Sequence, residues 1–111
     1  VDGYIYAAGY EQGGLRVIDI SNPNSPTQVS HLKPANSYGR VMDVAVSDKY
    51  AYAILGDVPD DENHGLWIVD ISNPIVPTEV NFLPSILSGH KVVAYEDHLY
   101  VLNEYGKVDV F

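Results

Sequence analysis

A sixteen-residue segment occurs twice in this chain: GLRVIDISNPNSPTQV from Gly14 to Val29, and GLWIVDISNPIVPTEV from Gly65 to Val80, identical at 10 of 16 positions without a gap. Self-similarity constrains the fold more than any other feature, because each copy must form the same unit and stack on its neighbour. The flanks repeat too. Asp2-Gly3-Tyr4-Ile5-Tyr6 aligns with Asp48-Lys49-Tyr50-Ala51-Tyr52, and then with Asp97-His98-Leu99-Tyr100-Val101. Val41–Val46 aligns with His90–Tyr95, and Gly106–Phe111 opens a third copy of the Gly14 segment. The offsets are 46 from Asp2 to Asp48, 51 from Gly14 to Gly65 and 49 from Asp48 to Asp97. Such a period belongs to propeller blades or to helical arrays.

Periodicity chooses the propeller. The apolar runs are short, rich in Val, Ile and Tyr, and cut by Gly, Asn, Asp or Pro. No stretch holds the i, i+3, i+4, i+7 pattern for the length of a helix, and Pro23, Pro26, Pro74 and Pro77 forbid one locally. Ten strands are expected: residues 4–8, 15–20, 27–32, 41–46, 50–55, 66–71, 78–83, 91–95, 99–103 and 107–111. Four strands per unit make a blade. With strands lettered A (innermost) to D, the order reads B-C-D, A-B-C-D, A-B-C. The fold class is therefore all-β, a β-propeller segment of four-stranded antiparallel blades. Residues 1–111 form a single propeller fragment: an incomplete blade over residues 1–32, a full blade over 41–83 and a second incomplete blade over 90–111. Two and a half blades leave apolar faces wet. The chain is expected to be an excerpt of a longer propeller, or else to complete its ring by self-association.

Composition narrows the function classes. Six basic against fifteen acidic side chains give a net charge of −9, which excludes a duplex nucleic-acid binder that neutralises phosphates with clustered Lys and Arg. Apolar runs such as Val44-Ala45-Val46 are too short to span a bilayer. The absence of cysteine removes disulfide frameworks and thiolate metal sites. Nucleophile-elbow, P-loop and dinucleotide-binding motifs do not occur, and His31, His64, His90 and His98 have no ligand spacing. No catalytic residue is assigned.

The GLxVIDISNPxxPTxV and GLWIVDISNPxxPTEV segments resemble the LVIVD repeat family, and the resemblance covers nearly the whole chain. It implies a bacterial or archaeal β-propeller with a tendency to be exported, hence an extracellular, periplasmic or cell-surface location. It assigns no biochemical activity.

Most repeated polar residues read as architecture. Ser21-Asn22-Pro23 and Ser72-Asn73-Pro74 have the chemistry of a rigid strand C to D turn, with Asp19 and Asp70 accepting N–H bonds from it. Asp2, Asp48 and Asp97 suit the A to B hairpin turn. Tyr4, Tyr6, Tyr50 and Tyr52 alternate along strand B, which suits blade-to-blade packing, or a sugar-stacking platform.

The departures from repetition carry the candidate sites. The connection from Gly56 to Gly65 is five residues longer than its counterpart from Gly9 to Gly14. It gathers Asp57, Asp60, Asp61 and Glu62, oxygen ligands of the kind Ca²⁺ takes, beside Asn63 and His64. Its alternative is a plain solvated loop. No other cofactor is indicated. By propeller convention the B to C and D to A connections share one rim, which brings Tyr10, Tyr38, Arg40 and His90 towards the channel mouth as a weak binding set for a glycan or peptide. The leading expectation is a non-catalytic exported or cell-surface module for binding or scaffolding. The alternatives are a Ca²⁺-dependent hydrolase-like propeller enzyme with its site in the channel, and a small lectin-like oligomer. Protein or glycan partners are expected, with no nucleic acid and no membrane span.

Overall fold

A computed structural model describes residues 3–9, 14–33, 41–55, 65–83, 89–103 and 107–111. Ten strands cross them: β1 (Tyr4–Gly9), β2 (Gly14–Asp19), β3 (Thr27–Leu32), β4 (Val41–Ser47), β5 (Tyr50–Leu55), β6 (Gly65–Asp70), β7 (Thr78–Leu83), β8 (Gly89–Tyr95), β9 (His98–Asn103) and β10 (Val108–Val110). They pair in chain order into three antiparallel sheets, β1-β2-β3, β4-β5-β6-β7 and β8-β9-β10. These are blades 1, 2 and 3 of an all-β, propeller-like stack, and the B-C-D, A-B-C-D, A-B-C order is the one expected. Among the described residues no helix is long and apolar enough to cross a membrane.

Blade 2 is apolar on both faces because both are covered. Ala51, Ala53 and Leu55 of β5 and Trp67 and Val69 of β6 pack with Leu15, Tyr6 and Leu32 of blade 1. From the opposite face, Ile54, Leu66, Tyr52 and Ile68 pack with Val92, Leu99 and Val101 of blade 3. Trp67, Leu15, Ile54 and Leu66 are essentially sealed from solvent, each worth about 1.5–3 kcal/mol relative to exposure.

The repeat reaches the irregularities. β2–β3 shifts register between Val17 and Ile18, and β6–β7 shifts between Ile68 and Val69. The inner pairs shift alike, between Val41 and Asp43 and between Gly89 and Lys91. Bulges at matched places keep the gapless 16-residue match in phase.

The third copy is one residue out from its sequence alignment. Ser47 pairs with Tyr50 around the β4–β5 turn, and Tyr95 pairs with His98 around the β8–β9 turn. The turn residues with positive φ are Asp48 (56°) and Glu96 (52°). Glu96, and not Asp97, is thus the equivalent of Asp48, and the offset is 48 instead of 49. A one-residue slip exchanges the faces of a strand, so His98 and Tyr100 take the places of Tyr50 and Tyr52, and Leu99 that of Ala51.

Blade 3 presents outward the face that blade 2 buries. Leu102, Val108 and Val110 stand where blade 2 has Ile54, Leu66 and Ile68; Leu102 is 40% exposed and Ile54 is 0% exposed.

Candidate functional site

The acids of the repeat are held by backbone. Asp19 accepts the Ser21 N–H at 2.8 Å, and Asp70 accepts the Ser72 N–H at 2.8 Å and the Ser72 hydroxyl at 2.6 Å. For Asp19 the Ser21 N–H is the main cause that holds the carboxyl below its ordinary value; for Asp70 it is the Ser72 hydroxyl, followed by the N–H. Asn22 and Asn73 complete the turn by accepting from the backbone of Asn24 and Ile75. These residues are architecture, as their repetition indicated.

Asp43 lies on inner strand β4 and reaches across the blade boundary, where its Oδ2 accepts the Val92 N–H of β8 at 2.9 Å. This carboxylate joins two blades. Its positional equivalent in blade 3 is Lys91, which cannot accept such a bond.

The sites expected at the other rim fall largely elsewhere in the chain. Tyr10, Tyr38, Arg40, Asp57, Asp60, Asp61 and Glu62 lie outside the described residues. The backbone of His90 belongs to β8; its side chain lies outside what is described.

The described cavities open at the rim formed by the A to B and C to D turns. One, of about 280 Å³, lies between blades 2 and 3, with Asp48, Tyr50 and Tyr52 from blade 2 and Glu96, Asp97 and His98 from blade 3. A second, of about 490 Å³, lies between blades 1 and 2. Tyr4 and Tyr6 line it from blade 1, and Asp48, Lys49, Ser72 and Pro74 from blade 2. The construction is common to both: an aromatic pair two residues apart on strand B faces the turn of the next blade, which opens on a carboxylate. Period-2 alternation puts both rings on one face. Tyr50 and Tyr52 have ring centroids 6.3 Å apart, tilted by 50°, and His98 and Tyr100 repeat this at 6.4 Å and 46°. Burial, helped by the neighbouring Tyr50 and Asp48, raises the Tyr52 phenol above its ordinary value.

Taken one at a time, the acids read as turn residues and the rings as blade-to-blade packing or a sugar-stacking platform. The available signal was joint: both features recur at one rim, and stacking brings the rings of one blade to the turn of the next.

No curated protein matches this chain. The profile of the LVIVD repeat matches residues 1–33 and 38–82. With the repeated strand C segment, the matched bulges and the stacked four-strand unit, that match places the chain in the LVIVD repeat family.

Proposed function

We propose that this chain is a non-catalytic, exported or cell-surface β-propeller module that binds a protein or ligand through its inter-blade clefts. The observation carrying this reading is that two successive blade boundaries form clefts of one design, each with an aromatic pair facing a turn that opens on a carboxylate. Aromatic and polar groups converging in a concave site are binding chemistry. The described acids of β2, β4 and β6 support the non-catalytic side of the reading, since Asp19, Asp43 and Asp70 are engaged with backbone N–H groups. The outward face of blade 3, by continuity with the stack, receives a further blade.

Two measurements test this. Chromogenic esters, phosphate esters and glycosides incubated with the chain in calcium and in EDTA should show no turnover. Calcium-dependent turnover that vanishes with Asp60→Ala and Asp61→Ala would instead establish the propeller-enzyme reading. The same variants probe the acidic connection: if it holds Ca²⁺, they lower the melting temperature in calcium and not in EDTA. Fractionation of the source cells should place the protein outside the cytoplasm, and a cytoplasmic pool would remove the exported element of the reading.

A further inference from the structure

The two clefts share a design but differ in charge, and that difference narrows the ligand of the binding module proposed above, on which this inference rests. Between blades 1 and 2, the turn opposite Tyr4 and Tyr6 reads Asp48 then Lys49. Between blades 2 and 3, the same two turn positions opposite Tyr50 and Tyr52 are Glu96 then Asp97. One cleft therefore carries its own ammonium, and the other has a carboxylate in that place.

The second cleft gathers three exposed carboxylates, those of Asp48, Glu96 and Asp97, around its rings. Lys49 approaches from the neighbouring cleft, with Nζ 5.8 Å from the Tyr50 centroid, near the outer limit of a cation–π contact. One cation against three carboxylates leaves the cleft negative, in a chain whose net charge is −9. Rings beside carboxylates in a cleft open at its rim suit a cation on an apolar stem, the stem lying on the rings and the head meeting the acids. A metal ion fits less well: among the described residues, no three His, Cys, Asp or Glu side chains converge closely enough to hold one. A neutral sugar stacks on rings but gains nothing from the field. The geometry points to the cleft between the β4–β5 and β8–β9 turns as a docking site for a Lys or Arg side chain of a partner protein.

Fluorescein-labelled hexalysine, hexaarginine and hexaglutamine, with cellohexaose as the neutral glycan, serve as the ligands. Binding to the whole chain is read by anisotropy or calorimetry in low and high salt, and located by amide shifts. Hexalysine and hexaarginine should bind, weaken with salt and shift Tyr50, Tyr52 and His98, whereas hexaglutamine should not. Asp97→Lys gives the cleft the cation its neighbour has, and should weaken binding about ten-fold. Glu104→Lys makes the same charge change in the connection that follows Asn103, the end of β9 away from His98, and should weaken it less than about two-fold. Glu96→Gln with Asp97→Asn repeats the test should Asp97→Lys fail to fold. Equal losses from Asp97→Lys and Glu104→Lys would mean bulk charge attraction and overturn the proposal. Cellohexaose shifting the same residues while the basic peptides do not would overturn it too, and leave the binding-module reading standing. Absence of binding by every ligand overturns both.

Discussion

Gly14 and Gly65 head the two copies of strand C, and the structure gives each a reason. A Cβ on Gly14 would collide with the carbonyl oxygen of Leu32, and one on Gly65 with that of Leu83 and, at 2.9 Å, with Cε1 of Phe82. Strand D crosses strand C so closely there that only a hydrogen fits. The glycines also separate contact from conformation. Gly3 has φ +85° and nothing within 4 Å of a built Cβ; Gly14 has φ +62° and the collision; Gly65, at φ +159°, is nearly extended and has the collision. Alanine at Gly3 should cost only the left-handed backbone, about 1 kcal/mol. At Gly65 it should cost overpacking, about 1–3 kcal/mol. At Gly14 both apply, giving about 2–4 kcal/mol. For a chain of this size about 1 kcal/mol moves the melting temperature by about 4 °C. Gly3→Ala should therefore lose about 4 °C and Gly14→Ala about 8–16 °C in thermal unfolding followed by circular dichroism. Equal losses at Gly3 and Gly14 would show that the strand D carbonyl imposes nothing, and the reasoning would fail.

Three further outcomes follow from contacts already described. Asp43→Ala leaves the Val92 N–H without its acceptor between blades 2 and 3 and should cost about 1–3 kcal/mol in urea unfolding, while Asp43→Asn, which keeps an acceptor oxygen, should cost less. Trp67, sealed from solvent with Nε1 donating to Glu79 Oε1 at 2.8 Å, should cost about 3–5 kcal/mol as alanine; Trp67→Phe should lose clearly less, and equal losses would deny the packing. Asp19 and Asp70 have folded values below the ordinary 3.8, so their contribution is present above that pH and disappears as pH falls through the lowered values. Melting curves from pH 6 down to pH 2 should fall less steeply for the Asp19→Asn, Asp70→Asn double variant, and parallel curves would refute it.

The fold was legible because its determinants are local and repeated. Pro and Gly punctuate the strands, alternation sets their faces, and the strand C match reveals the unit. All ten strands lie where the pattern puts them, with ends differing by a residue or two, as where β8 begins at Gly89 instead of Lys91. The one error of phase, in the third copy, has a physical origin. Asp97-His98 resembles Asp48-Lys49 in letters, but the turn needs its positive-φ residue directly after the last inner-strand pair, and that residue is Glu96. Aspartate is the better occupant of such a position, so the sequence pointed one place too far along. The clefts were less legible because their two walls lie far apart in the chain: Tyr50 and Glu96 come to line one cleft only once blades 2 and 3 stack.

Blades 1 and 2 share a turn, a bulge and a glycine, yet their outer strands carry different side chains at matched places. On blade 2, Trp67 bonds to Glu79 and pairs across from Phe82. On blade 1 the corresponding residues are Arg16, whose Nη1 donates to Gln28 Oε1 at 2.9 Å, and His31. The Trp67 face closes against the Leu15, Tyr6 and Leu32 surface. A surface that covered the Arg16 face would instead have to satisfy a guanidinium and an amide. Copies alike enough to fold the same way are thereby marked as different places in the stack. During folding, a blade inserted out of order would leave a buried charge unanswered or an indole uncovered, which guards a repetitive chain against pairing with the wrong copy of itself.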